Sequence, residues 1–471
     1  MRRARRERQP EVPLSTQDPS PALAVGGPPP VDLETKERHQ ILLKGGLTIG
    51  AGIITGNILG FVRVALTAYL LGTHSRADSL AVAVGPIDSL NAVLINSMVF
   101  AFVPMLTERN GADRTALYLQ LTRLFARGFT ALTLATVVFA SWLITVLAPG
   151  LDPHYHDTAA NLLRIVSLST LAAGMAAIHA AMLYTDRRFA PSAFYQAVLN
   201  VFTIVGALSL WRVFGVYGFA VGYSVGAWVQ FGVVWYSARR GLKVDALPRC
   251  DLDWHKIIAR PGTILVYATG LALNITFTRA YATHAGPGMA AALDYCMRGV
   301  TVPLAFLVNP VSNSLLPEIA RLRAQFRLRE AWHLIDKTIA MAALAAVGGC
   351  GIALAFRRPV IEIMFQRGSF TAESTMLVTA VFLGLGPSMV GWSLLELTSR
   401  SLFSLERPLL PMIAAAIPVV VNVIVTLSAR SPQPQFIGVG ASLGLLVGFV
   451  FVFIAATMSR KNWLRSSELQ T

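Results

Sequence analysis

Twelve apolar stretches of about 20 residues or more follow one another along the chain, at about 45–71, 79–106, 121–148, 159–184, 191–210, 215–237, 257–284, 288–316, 337–356, 375–404, 409–429 and 436–458. A hydrocarbon layer roughly 30 Å thick admits backbone only where every N–H and C=O finds a partner, and a helix of about 20 apolar residues spans it. The stretches predict an all-α polytopic membrane protein. The ten-residue alternation of apolar and polar positions that marks an outer-membrane barrel is absent. Only 14% of the residues are charged, well below the share of about a quarter in soluble domains.

Twelve spans put both termini on one side. Loops on that side hold 21 lysines and arginines, besides eight in the N-terminal tail, whereas the opposite loops hold six: Arg76, Arg212, Arg357, Arg358, Arg367 and Arg430. The positive-inside rule predicts cytoplasmic termini. The net charge of +15 is then mostly topology and calls for no nucleic acid. Residues 1–40 read as a disordered, basic, Pro-rich cytoplasmic tail, whose five arginines in the first eight residues suit anionic membrane lipid. A polar tract follows them in place of an apolar core, so no cleavable signal peptide is expected.

The chain repeats itself. "RVALTAYLLGTHSRADSL", from Arg63, aligns with "RAYATHAGPGMAAALDYC", from Arg279, and both Arg63/Arg279 and Asp78/Asp294 are 216 residues apart. "YTDRRFAP" and "SLERPLLP" align at an offset of 220, "FVPMLTE" resembles "LLPEIAR", and "GVYG" at 215 resembles "GVGA" at 438. The expected division is a six-helix lobe over 41–240 and a second over 241–471, the latter with a short cytoplasmic tail. Two such lobes in one orientation form a transporter architecture with its site between them.

Five arginines fall inside the stretches: Arg63, Arg164, Arg279, Arg298 and Arg400. Arg164 is close to a helix end, where a long side chain reaches the interface. A charge at mid-membrane costs at least about 2.5–3.5 kcal/mol, so the other four need a reason. One is internal pairing, Arg63 with Asp78 and Arg279 with Asp294; Arg298 and Asp294 are also four apart on one helix. The other is an anionic ligand, since a guanidinium stays charged and its fork of donors fits carboxylate or phosphate. Asp88, Asp294 and Glu396 are the comparably deep acids, one fewer than the arginines, and the imbalance favours a ligand.

Gly52, Gly56 and Gly60 make one small-residue face on the first helix, suited to close packing. Pro86, Pro104, Pro303, Pro310, Pro317 and Pro387 bend the helices they interrupt. Cys250, Cys296 and Cys350 are scattered, and His154 and His156 lack further ligands, so no disulfide framework and no metal site is expected. GxSxG, HExxH, Walker A and repeated-Asp motifs are missing, which argues against an enzyme. With no nucleotide site or other cofactor, active transport would draw on the membrane potential or on an H+ or Na+ gradient.

The stretches "NILGFVRVALTAYLLGTHSRADSLAVAVGP", "FAFVPMLTE", "YCMRGVTVPLAFLVNPVSNSLLPEIAR" and "RRPVIEIMFQRGSFTAESTMLVTAVFLGLGPS" resemble the MurJ/MviN lipid II flippases of the MOP transporter superfamily over residues 41–458. The resemblance implies a V-shaped pair of six-helix lobes around a cationic central cavity. It implies transfer of an undecaprenyl-pyrophosphate-linked sugar across the bacterial inner membrane, with cell-envelope biosynthesis proteins as partners. Arg63 and Arg298 match cavity arginines that engage the pyrophosphate, and Asp78 matches a family aspartate opening the second helix. Departures are as informative. Asn57, Leu90 and Asn91 replace family arginines, Ile95 replaces a glutamate and Glu396 a lysine, while Arg279 and Arg400 are additional. Two further helices that form a lipid-tail groove in many relatives are missing.

Arg63, Arg298, Arg279 and Arg400 are thus the expected pyrophosphate ligands, with Asp78, Asp294, Asn57, Pro86 and Glu396 in structural or gating roles. The functions compatible with this pattern are a divergent lipid II flippase, in which Arg279 and Arg400 restore cavity charge, or a flippase for an exopolysaccharide unit or other lipid-linked oligosaccharide. Cation-coupled drug efflux on the same scaffold would want carboxylates where this chain has arginines.

Overall fold

The computed structural model describes residues 31–109, 111–240, 254–429 and 432–468; most of the expected tail, Arg430 and the loop with Cys250 lie outside them. Contacts divide the chain into Met1–Gly46 and Leu47–Thr471, and the packing described below is that of the second unit. The first half of the chain holds α1 (Val31–Leu71), whose residues from Leu47 on belong to that unit, α2 (Ser75–Thr107), α3 (Gly111–Val138) and α4 (Ala140–Leu147). There follow α5 (Pro153–Thr185), the single turn α6 (Ala190–Ala193), α7 (Tyr195–Phe214) and α8 (Tyr217–Arg239). The second half holds α9 (Trp254–Ala282), α10 (Met289–Ala324), α11 (Leu328–Ala355) and α12 (Arg357–Phe365). It ends with α13 (Ala372–Leu385), α14 (Ser388–Ser404), α15 (Leu409–Ser428) and α16 (Val439–Glu468). No strand occurs among the described residues. Because α1 starts at Val31, the tail boundary expected at residue 40 falls inside a helix.

Each apolar stretch corresponds to one helix or a broken pair, and the breaks have local causes. Gly386 and Pro387 separate α13 from α14, which are bent by 43°; proline removes a backbone donor and clashes with the preceding turn. Pro86 and Pro104 lie within α2, while the side chains of Pro303, Pro310 and Pro317 in α10 lie outside the described set. Asp152 caps α5 by accepting a bond from His154 N (2.9 Å), with Pro153 at the first helical position. Among the described residues, eight helices are long and apolar enough to span a membrane, nine if α13 and α14 count as one. That is short of the twelve expected. The glycines, serines, tyrosines and Gln230 of α8 dilute its hydropathy, and Arg279, Asp294 and Arg298 place charge within α9 and α10.

The internal repeat is written in the backbone. Phe139 breaks α3 from α4 and Phe356 breaks α11 from α12, with nearly the same dihedrals (φ −90°, ψ 12° and φ −98°, ψ 12°). Gly72 and Gly288 both take positive φ, and so do Arg187 and Glu406, each at 57°. Asn200 on α7 donates to the Gly56 carbonyl of α1 (3.0 Å), and Asn422 on α15 donates to the Asn274 carbonyl of α9 (3.1 Å). The helix partnerships repeat as well: α7 packs on α8 as α15 packs on α16, and α5 on α8 as α14 on α16.

Among the described residues the two halves share a hydrophobic core at one end and not at the other. At the shared end a continuous cluster joins Leu71, Leu80 and Leu163 to Met289, Phe365 and Val381. At the other end the cores are separate, one around Phe102, Tyr118 and Met182, the other around Ile319, Trp332 and Leu402. Hydrogen bonds reinforce the joined end: Ser369 N to Tyr69 O (2.8 Å), Tyr295 Oη to Gly72 O (2.8 Å), Gly150 N to Thr283 Oγ1 (3.0 Å) and Thr73 Oγ1 with Ser374 Oγ (2.7 Å).

Within each half, missing side chains let helices approach. Cβ atoms added at Gly206 or Gly222 would collide with the facing helix of the α7–α8 pair, whereas one at Gly232 would meet nothing. The α1 glycines do the same at a second interface, Gly52 against Ala193 and Gly56 against Gln196. Gly222→Leu is therefore expected to destabilise the fold by about 1–3 kcal/mol, the usual range for overpacking. In thermal unfolding of the purified protein it should melt lower than Gly232→Leu, which should melt with wild type.

Candidate functional site

Between the halves lies a cavity of about 1050 Å³. All four arginines singled out in the sequence line it, together with Asp88, Asp294, Glu396 and, near Pro408, Glu406, which pairs with Arg323 at 2.7 Å. It reaches Tyr195, Thr263, Ser404 and Pro408 at the end where the cores are separate, and the joined end closes it.

Each acid holds one arginine. Arg63 on α1 sends Nη2 to Asp88 Oδ2 of α2 at 3.4 Å, and Tyr223 Oη donates to the other Asp88 oxygen at 2.8 Å. Arg279 on α9 grips one oxygen of Asp294 through Nε (3.1 Å) and Nη2 (2.7 Å). Its guanidinium lies against Gly85 of α2, where a Cβ would occupy the same space. Arg400 on α14 bonds Glu396 one turn earlier at 2.7 Å, and Tyr267 Oη donates to the second Glu396 oxygen at 3.0 Å. Arg298 has no hydrogen bond or ion pair among the described residues; Arg63, Asp88, Asp294 and Tyr223 are the ionisable groups near it.

The pairs are incomplete in a second respect. Arg63 and Arg279 are only 7% and 5% exposed, and the Nη1 of each is buried without a hydrogen-bond partner. A buried donor without an acceptor is costly, and more so when charged. The acids therefore leave one whole guanidinium, that of Arg298, for an occupant, while the two Nη1 atoms stay buried without an acceptor. Oxyanions are the acceptors that fit such donors.

Several expected contacts do not form. Arg63 does not pair with Asp78, because Asp78 is at the joined end, accepting from Gly288 N (2.5 Å) and Ala291 N (2.9 Å) at the start of α10. There a carboxylate satisfies helix-terminal donors and meets the positive end of the helix dipole. Arg298 does not pair with Asp294, which is already taken by Arg279. Asn57 is half-buried on α1, and neither it, Asp78 nor Pro86 lines the cavity, although Gly85, Asn91 and Ile95 do. Arg164 bonds Asn161 (2.5 Å) and Ser141 (3.0 Å) near the start of α5, away from the cavity. Tyr223 and Tyr267, which hold the second oxygens of two acids, carried no signal in the sequence. Cys296 and Cys350 are buried and free, and no cluster of potential metal ligands occurs among the described residues.

The family model for lipid II flippase MurJ matches residues 67–469. A probable lipid II flippase MurJ from Rhizobium meliloti is 26% identical over 453 residues, covering 91% of this chain and 83% of the relative. A lipid II flippase MurJ from Burkholderia cenocepacia is 26% identical over 440 residues, covering 87% and 83%. Among solved structures, lipid II flippase MurJ in an inward closed conformation superposes with a TM-score of 0.75 at 19% identity, over 87% of each chain. An inward-facing MATE multidrug resistance transporter of the MOP superfamily gives 0.71 at 12% identity, over 86% of this chain and 96% of the other. The repeated helical halves are thus shared with transporters of different cargo, whereas the family match follows this sequence from the second half of α1 into the end of α16, and the chain belongs to the lipid II flippase MurJ family.

Proposed function

We propose that this protein carries a polyprenyl-diphosphate-linked glycan of the lipid II type across the bacterial inner membrane by alternating access, as a transporter and not an enzyme. The observation that carries the reading is the unclaimed cation of the cavity. Asp88, Asp294 and Glu396 each hold one cavity arginine and Glu406 holds Arg323, so Arg298 is left without an acid among the described residues, and its guanidinium is of the kind a diphosphate accepts from. Cation efflux gains no support from a cavity whose free groups are themselves cationic.

The orientation has a physical rationale. Arg187, Arg239, Arg321 and Arg407 belong to the separate-core end, whereas Arg76, Arg357 and Arg367 belong to the joined end. The positive-inside rule supports cytoplasmic termini and a cavity facing the cytoplasm, the side from which a newly made lipid-linked glycan would enter. A diphosphate with about two negative charges is pushed outward by an inside-negative potential, by roughly 4.6 kcal/mol per 100 mV for those charges alone. The cycle needs the joined end to open while the other closes. The bonds of Asp78 to the start of α10 and of Ser369 to Tyr69 must break in that step.

Depletion and rescue tests the reading. Expressed in a strain whose own lipid II flippase is shut off, this chain should restore growth, and failure to do so with protein present in the membrane would refute transport of lipid II. Arg63→Ala and Arg298→Ala are each expected to abolish rescue at unchanged membrane levels; wild-type growth with both would remove them as anion ligands. Arg279→Ala should be at least as damaging, because it also leaves Asp294 without its partner. Combining it with Asp294→Asn should recover thermal stability without recovering transport. Recovery of both would make Arg279 a packing residue.

A further inference from the structure

We propose that one wall of the cavity, formed by Trp392, Glu396, Arg400 and Phe403 of α14 with Tyr267 of α9, is a carbohydrate subsite that reads the glycan while the arginines around Arg298 hold the diphosphate. The assignment rests on the flippase reading above and adds a specificity element to it.

The four α14 residues recur at intervals of three or four, so they form a single helical stripe. Each lines the cavity and is partly exposed there, whereas Ser393, Leu394, Leu395, Leu397 and Leu402 between them are buried. The stripe runs aromatic, acid, base, aromatic. Its two charges satisfy each other at 2.7 Å, so this wall adds no net cation to the cavity and is a poorer diphosphate site than Arg298. What it presents is a fixed array of acceptors and donors between two aromatic side chains. Glu396 is held on both oxygens, by Arg400 and by the Tyr267 hydroxyl, and the Tyr267 ring meets Phe403 edge-on at 5.6 Å. Arg400 spends Nε and Nη2 on Glu396, which leaves Nη1 unbonded among the described residues. Its side chain is 33% exposed where those of Arg63 and Arg279 are 8% and 6%, so it is the arginine most open to an occupant among the paired three.

Such a wall matches a sugar ring, whose C–H faces pack on aromatic rings and whose hydroxyls both donate and accept. Binding pockets take this form generally, largely apolar with a few well-placed polar groups. A prenyl tail would leave the acid and base unused, and a diphosphate would be repelled by Glu396. Helix packing does not demand the stripe either. At the repeat offset of 220 the corresponding α5 positions are Ala172, Ala176, Ala180 and Leu183, so the other half builds the same fold with an apolar face. The polar and aromatic groups on α14 have no counterpart on α5.

The test compares two ligands on the purified full-length protein in nanodiscs: lipid II, and undecaprenyl diphosphate without sugar. Wild type is expected to bind lipid II about tenfold more tightly, the scale of one or two hydrogen bonds to charged groups. Trp392→Ala and Phe403→Ala should bring that ratio close to one while the bare diphosphate binds as before, and Trp392→Phe should restore the preference. A ratio unchanged by both alanine variants overturns the subsite, as does an equal loss for the two ligands, which would mark a structural role. Wild-type binding of both ligands without preference also overturns the subsite and leaves the flippase reading standing. If wild type binds neither, both proposals fall.

Discussion

A guanidinium kept from water must be given an acceptor, and the organisation of this protein follows from supplying too few. The cavity holds four arginines; Asp88, Asp294 and Glu396 each claim one of them, and Glu406 is taken by Arg323. Burying cations is expensive, and pairing them offsets that expense only when geometry and hydrogen bonding are complete. Here they are left incomplete at Arg298 and at the Nη1 atoms of Arg63 and Arg279. The acids have a role beyond neutralisation. They hold the arginine side chains in place and dilute the positive charge of the cavity.

Two halves built on one pattern give this charge somewhere to sit and a way to change its exposure. A shared apolar core and a ring of inter-half hydrogen bonds close one end, while separate cores at the other leave the cavity accessible. The polar part of the closure is Asp78 on the first turn of α10, Thr73 against Ser374 and Ser369 against Tyr69, laid over that apolar core.

The repeat is close in backbone and loose in side chain. Helix breaks at Phe139 and Phe356 and the matched turns at Arg187 and Glu406 show that the two halves turn at the same places. Yet Asp78 and Asp294, equivalent by offset, do different things: one caps a helix at the joined end and the other pairs with Arg279 inside the cavity. The α14 stripe has only alanines and a leucine at the equivalent positions of α5. Symmetry supplies the scaffold, and departures from it supply the chemistry.

The apolar runs, the arginine bias of alternate loops and the 216-residue offset were legible without coordinates, because hydrophobicity, topology and duplication are properties of residues taken in order. They announced the membrane, the two halves and the surplus of deep arginines over deep acids. Which acid meets which arginine was not legible. Arg63 passes over Asp78, fifteen residues away in the chain, for Asp88, and Asp294 prefers Arg279 on another helix to Arg298 on its own. Pairing depends on distances across helices that only packing sets. For the same reason Tyr223 and Tyr267, ordinary tyrosines in the sequence, became hydrogen-bond partners of cavity carboxylates. Order along the chain determined how much charge would be buried; the tertiary structure decided which of it would remain free, since a charge is satisfied by what lies near it in space.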